Sequence, residues 1–213
     1  LGGGSLVNSA ICVRPPDSVF ERWATRFDLE RTDRASLDPH FDAISEFLGI
    51  APTPDEVQGP RNLLFRDACR ALGLSSEPIA RNVRGCRGSG ECFTGCRNCA
   101  KQSMDVSYVP AAMRRGARVL TSVQVQQVVA EGARVRGVTV ARAGGASSLE
   151  AAVVVDATGS GAVALAAGGQ GLYGEDARGD FGEAAAPAER TDAVQHVTWM
   201  YVSQRLPGAK VFD

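Results

Sequence analysis

The chain has 213 residues, 44% hydrophobic and 22% charged, and its 23 basic and 24 acidic side chains leave a net charge of −1. That length suits one large or two small globular domains with a real core. The near-neutral balance gives no electrostatic reason to expect nucleic acid or an anionic membrane as partner, and no apolar run reaches the ~20 residues of a membrane span.

From the amino end, Gly2-Gly3-Gly4-Ser5-Leu6-Val7-Asn8 lacks side chains at three successive positions, so a flat or phosphorylated ligand can approach its backbone N–H groups. If a helical turn begins there, Ser5 and Asn8 add donors on one side. The alternative is a flexible linker. Asn8 sits among Leu6, Val7, Ala10 and Ile11, which argues against a linker, because a buried Asn needs partners. Pro15-Pro16 ends this segment, and Asp17 or Ser18 caps a helix to about Phe27 with Val19, Phe20 and Trp23 on its apolar face. Asp38-Pro39 reads as a cap followed by proline at the first helical position. Phe41, Ile44, Phe47 and Leu48 then form one face, and Gly49 stops the helix. Ala51-Pro52-Thr53-Pro54 is a linker, and a third helix runs from Pro60 to Leu72, closed by Gly73.

Residues 81–101 read as an ordered loop of cysteines, glycines and arginines, followed by a helix from Val109 to Arg115 that Gly116 closes. The period then becomes alternating. Arg118–Thr121, Val123–Ala130, Val135–Ala141 and Leu149–Val155 are strand candidates, joined through Glu131-Gly132 and Gly144-Gly145. Ala151–Val155 is apolar on both faces, as in a strand buried in a parallel sheet. It runs into Asp156-Ala157-Thr158-Gly159-Ser160-Gly161 and an alanine-rich helix, Ala162–Ala167. In open α/β sheets ligands sit beyond the carboxyl ends of strands, although such a junction also serves as an ordinary tight turn. The tail is Gly- and Ala-rich to about Ala188 and strand-like from Val194 to Gln204.

Cys86, Cys92, Cys96 and Cys99 fall within fourteen residues, and the last three have the C-x3-C-x2-C spacing of a site-open iron–sulfur cluster. Only Cys96 and Cys99 form the C-x2-C pair that zinc favours, and disulfides or free thiols are equally compatible. A metal-binding redox module on these four residues is therefore the competing functional class. The basic side chains Arg81, Arg84, Arg87, Arg97, Lys101, Arg114, Arg115 and Arg118 outnumber Glu91 and Asp105 around this loop. Such a run is a solvated surface or faces an anionic cofactor. His40 and His196 complete no Ser-His-Asp or Cys-His arrangement.

With these residues in hand, the chain resembles the glucose–methanol–choline (GMC) flavin oxidoreductases. Gly2-Gly3-Gly4-Ser5-Leu6-Val7-Asn8, with Arg14 and Trp23 downstream, is similar to that family's Gly-Gly-x-Ser-x-x-Asn signature. Arg81-Asn82, Cys86, Gly90, Cys92, Gly95-Cys96, Lys101-Gln102-Ser103, Tyr108-Val109-Pro110-Ala111 and Gly116-Ala117-Arg118-Val119 resemble its branch that oxidises long-chain alcohols. The likeness covers about residues 1–142. After about residue 150, Asp156-Ala157-Thr158-Gly159 looks instead like another group of FAD-dependent oxidoreductases.

The resemblance implies an α/β fold, part of a Rossmann-like FAD-binding domain with a β-meander and a helical and loop insertion. It implies FAD as cofactor, with Gly2, Gly3, Gly4, Ser5 and Asn8 at the flavin end and Val125, Ala157, Thr158 and Gly159 beside the adenosine. The implied reaction oxidises a small-molecule alcohol by hydride transfer to the flavin. Apart from the resemblance, cysteine usage fits a reducing, cytoplasmic compartment and the charge balance predicts no nucleic-acid partner. The expected organisation is an FAD-contacting segment (1–30), a helical and Cys-rich region (31–116), the meander and last cofactor strand (117–168), and the start of a substrate-side region (169–213). Leu1 in place of an initiator Met, and an end at Asp213 just after a strand-like stretch, predict a piece of a longer protein. The dinucleotide fingerprint and the family's catalytic His pair would then lie outside it, so no catalytic residue is assigned, and a fragment inactive by itself is a further alternative.

Overall fold

The computed structural model describes residues 2–27 and 29–196. They are a mixture of helix and sheet in two bodies, divided between Ala117 and Arg118.

In the first body, α1 (Asp17–Phe27) buries Phe20, whose ring meets Trp23 edge-on with centroids 5.7 Å apart. Helix α2 (Arg34–Leu48) corrects the expected start at Asp38-Pro39. Asp33 is the cap, its carboxylate accepting the Ser36 N–H at 3.0 Å and the Ser36 hydroxyl at 2.8 Å. Pro39 consequently lies inside the helix. A cap worth about 1 kcal/mol does not offset an interior proline at ~3 kcal/mol. Tertiary contacts supply the rest: Arg14 reaches Asp42 at 2.5 Å, Leu48 is buried, and the Phe47 ring packs 4.6 Å from that of Tyr108.

The end of α2 depends on two residues far apart in sequence. Gly49 turns the chain at φ 62°, and Arg84 Nη2 donates to the carbonyls of Glu46 at 2.7 Å and Phe47 at 3.0 Å. A guanidinium on the last carbonyls satisfies acceptors that the helix leaves open and complements its dipole. A β-carbon on Gly49 would sit 2.9 Å from the Arg84 side chain.

Beyond α2, β1 (Ile50–Pro52) pairs antiparallel with β2 (Ala80–Asn82), so part of the expected Ala51–Pro54 linker is strand. Between them, α3 (Pro60–Ala71) starts on proline at its first position, as the sequence predicts. Bridges from Ile11 to Arg81 and from Val83 to Lys101 carry the pairing to either side, making residues 80–84 the centre of this body. Helix α4 (Tyr108–Arg114) closes it.

The second body opens on a meander: β3 (Gln124–Glu131) and β4 (Arg134–Arg142), close to the expected Val123–Ala130 and Val135–Ala141, then β5 (Gly145–Glu150), antiparallel in that order. Strand β5 begins at the expected Gly144-Gly145 joint and shares only residues 149 and 150 with the expected Leu149–Val155. Gly137 of β4 has no room for a side chain, because a β-carbon would collide with the Leu149 carbonyl. Helix α5 (Ala162–Ala166) follows, then the short α6 (Arg178–Phe181), which the Gly- and Ala-rich composition concealed.

Two strand expectations are corrected, and a third falls mostly outside the described residues. Arg118–Thr121 is irregular. Ala151–Val155 is not a buried parallel strand: Val153 is 76% and Val155 82% exposed. The ladder to β4 ends where Ala151 N–H donates to Arg136 O at 2.9 Å, and beyond it no strand among the described residues lies alongside. An extended segment becomes sheet only when a neighbour accepts its hydrogen bonds. Of Val194–Gln204, residues 194–196 are irregular and the rest lie outside the described residues. Among the described residues no helix is long and apolar enough to cross a membrane.

Gly49→Ala is expected to destabilise the protein by about 1–2 kcal/mol, because a β-carbon is strained at this φ and displaces Arg84. Denaturant unfolding measures it, and an unchanged midpoint would remove Gly49 as the stop of α2.

Candidate functional site

The glycine cluster folds as a single 3₁₀ turn, Gly3–Leu6. Its two faces differ. Gly2, at φ 96°, is packed so closely that a β-carbon would lie 2.9 Å from Leu6 Cγ and 3.1 Å from Asp105 Oδ1. At Gly3 and Gly4, both exposed, a β-carbon would meet nothing within 4 Å. Gly2 therefore seats the turn, and Gly3 and Gly4 leave bare backbone with open space before it. Ser5 is tied inward: its hydroxyl donates to Gly2 O at 2.5 Å and accepts the Met104 N–H at 2.9 Å. Asn8 corrects the expectation of a buried amide. It is exposed, and its Oδ1 accepts the N–H of Ala10 at 3.1 Å, supporting a buried alanine at φ 62°.

Beneath the turn lies Lys101, 1% exposed. Its bridge to Val83 fixes the backbone, and its Nζ donates to Leu6 O at 2.5 Å, Cys92 O at 2.7 Å and Asn8 O at 3.0 Å. An ammonium has three N–H donors, and all are used. Burial pushes its pKa below the usual lysine value, with Cys92, Cys96 and Asp105 opposing that shift. The sequence reading placed Lys101 in a basic run, on a solvated surface or facing an anion. The structure corrects this for Lys101, whose partners are main-chain carbonyls. Its neighbours Ala100 and Ser103 are also buried, but small residues beside a lysine give no sequence signal strong enough to reveal a buried cation.

The loop cysteines are not gathered at one point. Among the described residues, no three His, Cys, Asp or Glu side chains converge to hold an ion, and all six cysteines are free thiols. Each of the four has a separate environment. Cys86 accepts a Gly88 N–H at 3.5 Å, Cys92 accepts Arg81 Nη2 at 2.6 Å, and Cys99 is exposed. Burial pushes the Cys96 thiol up, but the N–H groups of Lys101, Ala100 and Asn98 around its sulfur, with the Lys101 charge, bring it below the usual cysteine value. The donor types would suit zinc or an iron–sulfur cluster, but the four sulfurs as arranged do not converge on one centre.

In the second body, Val125 and Thr158 line one cleft of about 490 Å³, with Gln124, Gln127, Ala162 and Ala166. The Asp156–Gly161 junction is organised by its own side chains. Asp156 accepts the N–H groups of Thr158 and Ala164, both at 2.8 Å, and Thr158 Oγ1 accepts that of Ala162 at 3.1 Å. These bonds cap α5 and hold the Asp156 carboxyl below the usual range, the Thr158 N–H first and that of Ala164 second. Ala157 and Gly159 are exposed, and a β-carbon on Gly159 would meet nothing within 4 Å. Within this body the structure thus brings Val125 and Thr158 together, while Gly2, Gly3, Gly4, Ser5 and Asn8 share one turn of the other.

Residues 1–165 match a family model described as GMC oxidoreductase. The chain is 35% identical over 159 residues to an uncharacterised GMC-type oxidoreductase of Mycobacterium tuberculosis, covering 74% of this chain and 25% of that protein. It is 28% identical to a long-chain-alcohol oxidase of Arabidopsis thaliana over 61% of this chain and 17% of that one. It is 23% identical to a cholesterol oxidase of Acinetobacter baumannii over 60% of this chain and 27% of that enzyme. The chain thus spans between 17% and 27% of the length of these relatives. No solved structure gives a significant match.

Lys101→Met leaves three carbonyls without their donor, and a loss of roughly 3 kcal/mol or more in unfolding free energy is expected. Denaturation tests this, and a neutral substitution would show that the ammonium does not hold the turn. For Asp156, a folded pKa below the ordinary 3.8 means that its contribution is complete above that pH. It is lost as the pH falls through the lowered folded value. The protection factor of the Ala164 amide, its exchange rate relative to the intrinsic rate at the same pH, should fall on that acidification, and Asp156→Asn should abolish that fall.

Proposed function

The chain belongs to the GMC oxidoreductases, and on that premise we propose that it is the part of an FAD-dependent enzyme that grips the cofactor for oxidation of an alcohol. The observation that carries the reading is the bare backbone of Gly3 and Gly4, inside the segment that matches the family. A flat ring system can lie on main chain only where β-carbons are missing and the space is open, and both conditions hold there. The residues present therefore fit a flavin.

In this reading Gly3 and Gly4 receive the flavin end, Ser5 and Gly2 hold the turn in shape, and Asn8 fixes the chain leaving it. Val125, Ala157, Thr158 and Gly159 flank the adenosine. Thr158 and Asp156 act through α5, since their oxygens are occupied in capping it. Bound FAD supplies the two-electron acceptor that protein side chains lack. The residues of this chain supply shape and orientation, and none is assigned as the base.

The substrate class we propose is an alcohol with a large apolar body, the feature shared by a long chain and by cholesterol in the relatives' names. Free thiols in a reducing compartment suit a cytoplasmic enzyme.

The protein expressed from its whole reading frame should be yellow, with flavin absorbance in the visible. Gly4→Leu fills open space without touching the packed side of the turn, and it should weaken flavin binding about tenfold or more, ~1.4 kcal/mol. Asn8→Leu should weaken it less, by loosening the turn. A Gly4→Leu protein that keeps stoichiometric flavin would sink the assignment of this surface.

A further inference from the structure

Two of the six free thiols sit on one turn. In Cys96-Arg97-Asn98-Cys99 the Cys99 N–H donates to Cys96 O at 2.9 Å, closing the four residues into a turn. Such a turn brings its end Cα atoms within about 7 Å, which overlaps the ~4.4–6.8 Å that a disulfide spans. The two sulfurs differ in character. Cys99 is exposed, whereas Cys96 is half-buried. Burial raises the Cys96 thiol, yet the N–H groups of Lys101, Ala100 and Asn98 and the Lys101 charge bring it below the ordinary cysteine value. Arg97, between the two, is paired with Glu91, which leaves Lys101 as the cation acting on Cys96. Elsewhere in the first body Arg81 holds the Cys92 sulfur, and Cys69 is buried in α3.

We propose that Cys96 and Cys99 form a redox-active dithiol–disulfide couple that exchanges with small disulfides of the glutathione class. The Cys96 sulfur, as thiolate, attacks one sulfur of the external disulfide. That S–S bond breaks, and one external thiolate leaves and takes a proton from water. Cys99 then gives its proton to solvent, and its sulfur attacks the Cys96 sulfur of the mixed disulfide. The second external thiol leaves as the Cys96–Cys99 bond forms. Two protein thiols are thereby oxidised by two electrons, and the external disulfide is reduced to two thiols. The roles follow from the environments: the thiolate is the attacking form, and an exposed neighbour on the same turn can reach the mixed disulfide to resolve it. In a reducing compartment such a bridge is transient, as in redox-sensing pairs. The couple requires no flavin and stands or falls independently of the function proposed above.

The test equilibrates the reduced protein, expressed from its whole reading frame, in oxygen-free buffers of graded reduced-to-oxidised glutathione ratio. The samples are quenched with acid, the remaining thiols are alkylated with N-ethylmaleimide, and the products are mapped by peptide mass. Cys96 and Cys99 should lose two hydrogens together and appear as one cross-linked species, while Cys12, Cys69 and Cys86 remain alkylated. Cys99→Ser should lose the bridge and accumulate the mixed disulfide of glutathione on Cys96. Cys96→Ser should lose the bridge and leave Cys99 alkylated. Alkylation of both residues at every ratio overturns the couple without any variant, as does a bridge from Cys96 to any other cysteine. A mixed disulfide on Cys99 in preference to Cys96 overturns the assigned order of attack.

Discussion

The first body is organised around one buried ammonium. Removing a charge from water is costly unless all its hydrogen bonds are remade, and Lys101 meets that condition with three main-chain carbonyls. Those carbonyls belong to segments more than eighty residues apart, so the group works as a cross-link between them. Immediately around the turn the buried residues are Ala10, Ala100, Lys101, Ser103 and Ser107. Packing around the turn is therefore polar, and its precision comes from hydrogen-bond directions rather than from hydrophobic volume.

The same economy appears at both candidate surfaces. At each, side chains that look available for a ligand are already engaged with the backbone: Ser5 with Gly2 and Met104, Asp156 and Thr158 with the start of α5. What remains open is glycine backbone at Gly3, Gly4 and Gly159, together with the wall formed by Val125. Such surfaces recognise shape and main-chain hydrogen-bonding capacity, as a shared scaffold for a large cofactor requires, and they leave substrate choice to other residues.

The cysteine loop shows why spacing is a weak guide to a site. The last three thiols have the intervals of a cluster-binding motif, yet a ligand set requires the sulfurs to point at one centre. Here Arg81 holds one sulfur, main-chain N–H groups surround another, and Cys99, at φ 50°, is exposed. Each contact draws its sulfur to a different partner. The loop's fixed conformation is thus built from cation-to-carbonyl and N–H-to-sulfur contacts in place of a metal.

Period and punctuation in the sequence determined the local elements: α1, α3, α4, the first two strands of the meander and α5 all lie close to where apolar spacing, proline and glycine put them, whereas β5 starts at the glycines read as a joint. The glycine turn and the Asp156 junction were also legible, because missing side chains are written directly in the sequence. The start of α2 was written locally in the Asp33–Ser36 cap, and tertiary contacts from Arg14 and the Tyr108 ring let the helix continue through the misleading signal of Asp38-Pro39. Tertiary structure alone decided that Ala151–Val155 stays exposed, since strand formation needs a neighbour that local composition does not name. Above all it decided the fate of Lys101, whose burial depends on carbonyls at positions 6, 8 and 92. A hydrogen bond to main chain carries no side-chain signature, so no reading of residue types reveals it.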